Sequence, residues 1–192
     1  RYIIDRRENH HGTAEDLEDF QCIFAKNEGG VTVPASGLHF SRELMKRMEI
    51  KGIETAFVTL HCGLGAFHDI EVEDLTKHKM DSEQMIITRE ACDRVNSAKA
   101  AGHHICAVGT SVVKATETAV GTDGWTNKFI FPPYDFGLAD TMIANFYHPY
   151  STLLMETAAF GGYDLVMEAY NLALKHGFMF GCYGDAMLIM ND

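Results

Sequence analysis

The chain has 192 residues, 46% of them hydrophobic and 22% charged, the balance of one ordinary globular domain long enough to bury its own core. No apolar run approaches the roughly 20 residues that cross a bilayer, and no long apolar segment follows the basic start at residues 1–7, so neither a membrane span nor a signal peptide is expected. A net charge of −11 counts against a simple electrostatic nucleic-acid binder, which carries a basic footprint, but allows RNA held at a restricted patch.

Residues 1–19 read as a polar arm or linker, with His10 and His11 as exposed side chains, and residues 20–192 as a single α/β domain. Residues 20–25 have strand composition and end at the turn-forming Lys26-Asn27-Glu28-Gly29-Gly30. Another short strand precedes Pro34. Ser41 is suited to cap a helix carrying Leu44, Met45 and Met48 on one face, with Gly52 as its stop. Residues 53–60 are apolar and β-branched enough for a buried strand. Residues 85–87 read as a short strand, Thr88 as the cap of a helix through Ala101 closed by Gly102, and residues 105–108 as a strand entering Gly109-Thr110-Ser111. Further strands are predicted at 128–131, 142–146, 178–183 and 186–190, with helices from Ser151 to about Phe160 and over 165–176. The alternation predicts an α/β fold, a largely parallel or mixed sheet with helices packed on it.

The chemistry-bearing residues gather in loops where strands end, the usual ligand-binding position of α/β folds. His39 and His61 each stand beside glycines, Gly37 for the first and Gly63 and Gly65 for the second, where a histidine can move protons near neutral pH. A G-x-G alone is a weak signal, lacking the third glycine of a dinucleotide fingerprint. Thr110 and Ser111 open a helix after a strand, which suits either an anion site or a plain N-cap. Asp185, between two apolar strands, is either a satisfied turn residue or a ligand contact. The cysteines, Cys22, Cys62, Cys92, Cys106 and Cys182, are odd in number and form no C-x-x-C pair. They predict free thiols in a reducing cytosol, hence a cytoplasmic protein, and argue against structural zinc. No close histidine spacing suggests a catalytic metal. The densest basic group, Lys26, Arg42, Lys46, Arg47 and Lys51, is either an RNA patch or a solvated helix face.

Several segments together carry a specific resemblance. Residues 33–41 (Val-Pro-Ala-Ser-Gly-Leu-His-Phe-Ser), 56–67 (Ala-Phe-Val-Thr-Leu-His-Cys-Gly-Leu-Gly-Ala-Phe) and 78–83 (His-Lys-Met-Asp-Ser-Glu) resemble three motifs of the S-adenosylmethionine:tRNA ribosyltransferase-isomerase family of queuosine biosynthesis. Residues 107–111, Asn145-Phe146, 149–155 and 183–189 (Tyr-Gly-Asp-Ala-Met-Leu-Ile) resemble further motifs in family order, covering nearly the whole chain from Phe20. The resemblance implies the C-terminal part of such an enzyme, without the family's inserted β-barrel-like domain.

The implied reaction moves and rearranges the ribosyl group of S-adenosylmethionine, as substrate, onto 7-aminomethyl-7-deazaguanine at the wobble position of tRNA. Epoxyqueuosine, adenine and methionine result, with no metal and no membrane involved. His39 and His61 are the implied proton-transfer groups, with Asp185 and Glu83 as polar or charge partners. Gly37, Gly63, Gly65, Thr110, Ser111, Asn145, Ser151 and Thr152 are the implied substrate-binding positions. The pattern departs from the family at Lys114, which replaces an arginine, and at Tyr150, Glu156 and His148; residues 121–124 are shorter than their counterpart. Two alternatives follow from these departures: a diverged S-adenosylmethionine-dependent transferase with another acceptor, or a non-catalytic RNA- or ligand-binding fragment.

Overall fold

The computed structural model describes residues 7–118, 123–181 and 183–191. Six helices, α1 (Asp16–Asp19), α2 (Arg42–Ile50), α3 (Arg89–Ala100), α4 (Thr110–Thr118), α5 (Thr152–Gly161) and α6 (Tyr163–Lys175), alternate with six strands among these residues. The strands are β1 (Val58–His61), β2 (Glu83–Ile87), β3 (Cys106–Val108), β4 (Asp123–Thr126), β5 (Thr141–Asn145) and β6 (Ala186–Met190). The α/β class holds, but the strands form two small sheets. One is antiparallel, ordered β1-β2-β4; the other is mixed, ordered β3-β5-β6, with β3 and β5 parallel and β6 antiparallel to β5.

Local sequence sets the helix ends. Ser41 Oγ accepts the Leu44 N–H at 3.0 Å, Thr88 Oγ1 the Ala91 N–H at 3.2 Å, and Ser151 Oγ the Leu154 N–H at 3.1 Å. Gly52, Gly102 and Gly177 follow α2, α3 and α6 with positive φ, as helix stops do.

Helix α4 lies between the two sheets, which explains an unusual run of burial. Val113, Lys114 and Ala115 are consecutive and all buried, although an ordinary surface helix buries one stripe. Val113 packs with Ala107, Met142 and Ala144 of the mixed sheet. Ala115 packs with Met85 and Ile87 of the antiparallel sheet. A third cluster, Phe146, Leu154, Val166, Tyr170 and Ala173, joins α5 and α6 beyond the end of β5.

Four predicted strands do not form among the described residues. Residues 20–25 form turns, with the Ala25 N–H bonded to the Cys22 carbonyl, and Phe24 packs on Phe40 and Phe57. Residues 31–33 are irregular, and residues 128–131 carry a chain of rings, His78 on Phe129 on Phe131. Residues 178–181 and 183 also lack strand structure; Phe178 and Phe180 pack on Phe146, and the backbone bonds elsewhere, Gly181 N–H to Phe146 O and, in a turn, Gly184 N–H to Gly181 O. Aromatic composition suits a strand and a ring cluster equally, and here the rings found one another. The strand predicted from residue 53 begins only at Val58, and β4 was not foreseen. Residues 1–6, Cys182 and part of the short segment 121–124 lie outside the described residues.

Candidate active site

The parallel pairing of β3 and β5 brings their carboxyl ends to one edge, since Val108 is opposite Ile143. β6 runs the other way and begins at that edge, with Ala186 opposite Asn145. Three predicted site segments therefore meet: Thr110-Ser111 after β3, Asn145 at the end of β5, and Asp185 before β6. The Pro34–Phe40 region, whose centre is a short 3-10 turn over Ala35–His39, supplies a fourth through Ser36.

The edge is joined by side-chain hydrogen bonds. Ser36 Oγ donates to Asn145 Oδ1 at 3.2 Å, and Asn145 Nδ2 donates to the Gly184 carbonyl at 3.3 Å. Thr110 Oγ1 and the Tyr147 hydroxyl lie 3.5 Å apart. Ser36, Thr110 and Asn145 are all buried, so these polar groups need one another. Burial also raises the Tyr147 phenol above its usual range, keeping it a neutral donor. Gly184 has no room for a side chain, because a Cβ there would lie 2.5 Å from the Met179 carbonyl oxygen.

A second node forms where β1 ends. His61 is half-buried and faces a broad cleft that also passes Cys22, Gly37, Cys62, Val108 and Ser111. Beyond it, the Gly63 N–H donates to Glu83 Oε1 at 3.0 Å, and Lys114 Nζ donates to Glu83 Oε2 at 2.6 Å. Burial, reinforced by the Glu83 carboxylate, pushes the Cys62 thiol up to about 12, so it stays protonated and is no nucleophile at neutral pH. Glu156, from α5, is buried with Oε1 lacking a hydrogen-bond partner. Burial pushes its carboxyl well above the usual range, an effect that Lys114 opposes and Glu83 and Glu117 reinforce. The protonated form is therefore favoured.

The remaining predicted positions separate. His39 is exposed at the end of its turn. Gly37 packs on Cys22, and Gly65 backs onto the Asp81 carboxylate. Ser151 caps α5 and donates to the His148 carbonyl, with Thr152 buried beside it. Asp185 Oδ2 accepts the Met179 N–H at 2.8 Å, the turn use that its position between strands allowed. Ser36, Tyr147 and Lys114 were not among the predicted site residues. Ser36 and Tyr147 lay within or next to quoted motifs, and their polar groups at strand ends were the available signal. Among the described residues, no group of three His, Cys, Asp or Glu side chains is placed to hold a metal ion. None of the described helices is long and apolar enough to cross a membrane.

Such a polar edge at the carboxyl ends of parallel strands is the usual arrangement of a ligand-binding α/β domain. The chain belongs to the queuosine biosynthesis protein family, whose model matches residues 1–189. It is 67% identical over 184 residues to the S-adenosylmethionine:tRNA ribosyltransferase-isomerase of Phocaeicola vulgatus, covering 92% of this chain and 52% of that protein. The enzyme of the same name from Flavobacterium psychrophilum is 58% identical over 93% of this chain and 53% of its own length. The crystal structure of S-adenosylmethionine tRNA ribosyltransferase from Thermotoga maritima superimposes with a TM-score of 0.68 at 37% identity, over 81% of this chain and 51% of that one. The chain thus spans about half the length of the curated relatives it matches.

Proposed function

We propose that this chain forms the C-terminal part of the active site of an S-adenosylmethionine:tRNA ribosyltransferase-isomerase. The reaction transfers the ribosyl group of S-adenosylmethionine to the aminomethyl nitrogen of 7-aminomethyl-7-deazaguanine in tRNA and rearranges it to epoxyqueuosine. Adenine and methionine leave. The observation that carries this reading is the meeting of Ser36, Thr110 and Asn145, from three separate family motifs, with the neighbouring Tyr147 at one edge of the mixed sheet.

The chemistry asks for positioning and proton transfer. The sulfonium acidifies the neighbouring C5′ hydrogens, so a base can remove one; adenine leaves more readily when protonated; the acceptor amine must be held neutral and close. His61, facing the cleft, is the leading proton-transfer candidate, with His39 second. Thr110, Ser111 and Asn145, which meet at the edge, are assigned to holding the donor, and Gly63, with nothing within 4 Å of a Cβ built on it, allows close approach. Asp185 and Glu83 shape the site through the backbone groups they bind. The tRNA contact falls to the basic group around α2, in a protein of the cytoplasm.

The test is incubation of the full-length protein with S-adenosylmethionine and tRNA bearing the aminomethyl base. Adenine and epoxyqueuosine are expected in equal amounts. Adenine release without a modified nucleoside would point to another acceptor. Neither release nor calorimetric binding of S-adenosylmethionine would overturn the reading.

A further inference from the structure

The alternation of β2 puts Glu83, Met85 and Ile87 on its buried face, with Gln84 exposed between them. An ionisable group at a core position needs a partner. Glu83 has two, one on each oxygen, and they belong to different parts of the fold. The Gly63 amide lies two residues beyond the end of β1, and β1 pairs with β2 so that His61 is opposite Gln84. Lys114 lies four residues into α4, the helix that Thr110 and Ser111 open. Both side chains of this ion pair are more than nine-tenths buried, whereas the other ion pairs among the described residues are substantially exposed. Neither Glu83 nor Lys114 lines the cleft, although His61 and Ser111 do. Both Glu83 oxygens and the Lys114 ammonium are thus engaged with partners inside the protein.

We propose that Glu83 and Lys114 are positioning residues: a buried latch that ties the His61–Gly63 loop to helix α4 and so sets the distance between the proton-transfer histidine and the Thr110-Ser111 edge. This rests on the functional reading above and refines it. One strand end carries His61 and one helix start carries the binding hydroxyls, and they come from different sheets. The three-atom relay from Gly63 N–H through the Glu83 carboxylate to Lys114 Nζ joins them within 2.6 and 3.0 Å contacts. Because the link ends on a backbone amide, it fixes the loop itself and not merely one side chain. Each Glu83 oxygen has its own donor, the Gly63 amide on one and the Lys114 ammonium on the other.

The experiment compares full-length wild type with Lys114→Arg, Glu83→Gln and the doubly neutral Glu83→Gln/Lys114→Met, which leaves no buried charge uncompensated and so guards against misfolding. Amide hydrogen exchange over residues 62–67 and steady-state turnover are measured on each folded protein. The expected result is faster exchange in the 62–67 loop of the double variant, a kcat lower by about 10- to 100-fold with KM for S-adenosylmethionine changed by less than about threefold, and recovery in Lys114→Arg. The shape of the pH–rate profile stays that of wild type. Unchanged loop exchange in the folded double variant overturns the latch, and this readout stands even if wild type shows no turnover, the result that would count against the functional reading instead. Loss of one limb of the pH profile in Glu83→Gln would also overturn it, by making Glu83 a proton-transfer group.

Discussion

Gly29 lies flat against the His61 imidazole: a Cβ built on it would stand 2.7 Å from Nδ1 and 2.9 Å from Cε1, and its φ is +145°. The ring is thus held from behind by a residue 32 positions earlier, in a segment that also bonds to the loop through the Val31 N–H and the Cys62 carbonyl at 3.0 Å. Gly29→Ala must strain the backbone and displace the ring. We expect a stability loss of about 1–3 kcal/mol together with lowered turnover, checked by thermal melting and steady-state kinetics. An alanine variant with wild-type melting and turnover would show that the ring has no need of this wall.

His61 and His39 differ in setting, one facing the cleft and half-buried, the other exposed. In the intact enzyme His61→Ala is expected to lower kcat by about 10²- to 10⁴-fold, the usual worth of acid–base catalysis, and His39→Ala by less. Full turnover in both variants would remove the proton-transfer assignment.

Asn145 uses both ends of its amide at a fully enclosed position, accepting from Ser36 and donating to the Gly184 carbonyl. Asn145→Ala leaves the buried Gly184 carbonyl without its donor and removes one partner of the Ser36 hydroxyl, at a cost of about 1–3 kcal/mol for the group left unsatisfied. Ser36→Ala removes one partner only. The double variant should cost less than the two single changes added together, because they share a bond. Urea denaturation midpoints measure this, and strict additivity would mean that the Ser36–Asn145 bond carries no coupling.

Glu156 supplies a prediction with a definite sign. Its carboxyl holds a proton more tightly in the folded chain than in the unfolded one, because burial disfavours the charge. The contribution of this group to stability is full at pH below the ordinary carboxylate value and declines as pH rises from there toward the raised folded value. Glu156→Gln, which keeps the shape and cannot ionise, should flatten that part of the stability-against-pH curve and raise stability at its upper end. Parallel curves for wild type and variant across this window would show that Glu156 titrates normally.

The helices were readable because their signals are local. Ser41, Thr88 and Ser151 each cap within three residues of themselves, and Gly52, Gly102 and Gly177 stop their helices by backbone conformation alone. The aromatic runs at 20–25, 128–131 and 178–183 were misread because Phe24, Phe129 and Phe180 meet Phe57, His78 and Phe146 from elsewhere in the chain, which no local window contains. β4 escaped notice because Asp123-Gly124-Trp125-Thr126 has neither strand alternation nor an apolar run, and it is held by pairing with β2. Of the candidate site, the motifs pointed to loops that the fold brings together at Ser36, Thr110 and Asn145, but not to their joints. The parity of Glu83 with Met85 and Ile87 was there to be read and marks it as inward-facing. Its tie to Lys114 depends on a helix lying between two sheets, which spacing does not reveal.

The bond between Ser36 and Asn145 spans 109 residues. During synthesis, at about 5–20 residues per second, the Ser36 hydroxyl emerges roughly 5–20 s before its partner exists. The edge that this bond joins is therefore completed only after β5 has been made, and a ribosome that stalls before β5 leaves its polar groups to water or to a chaperone.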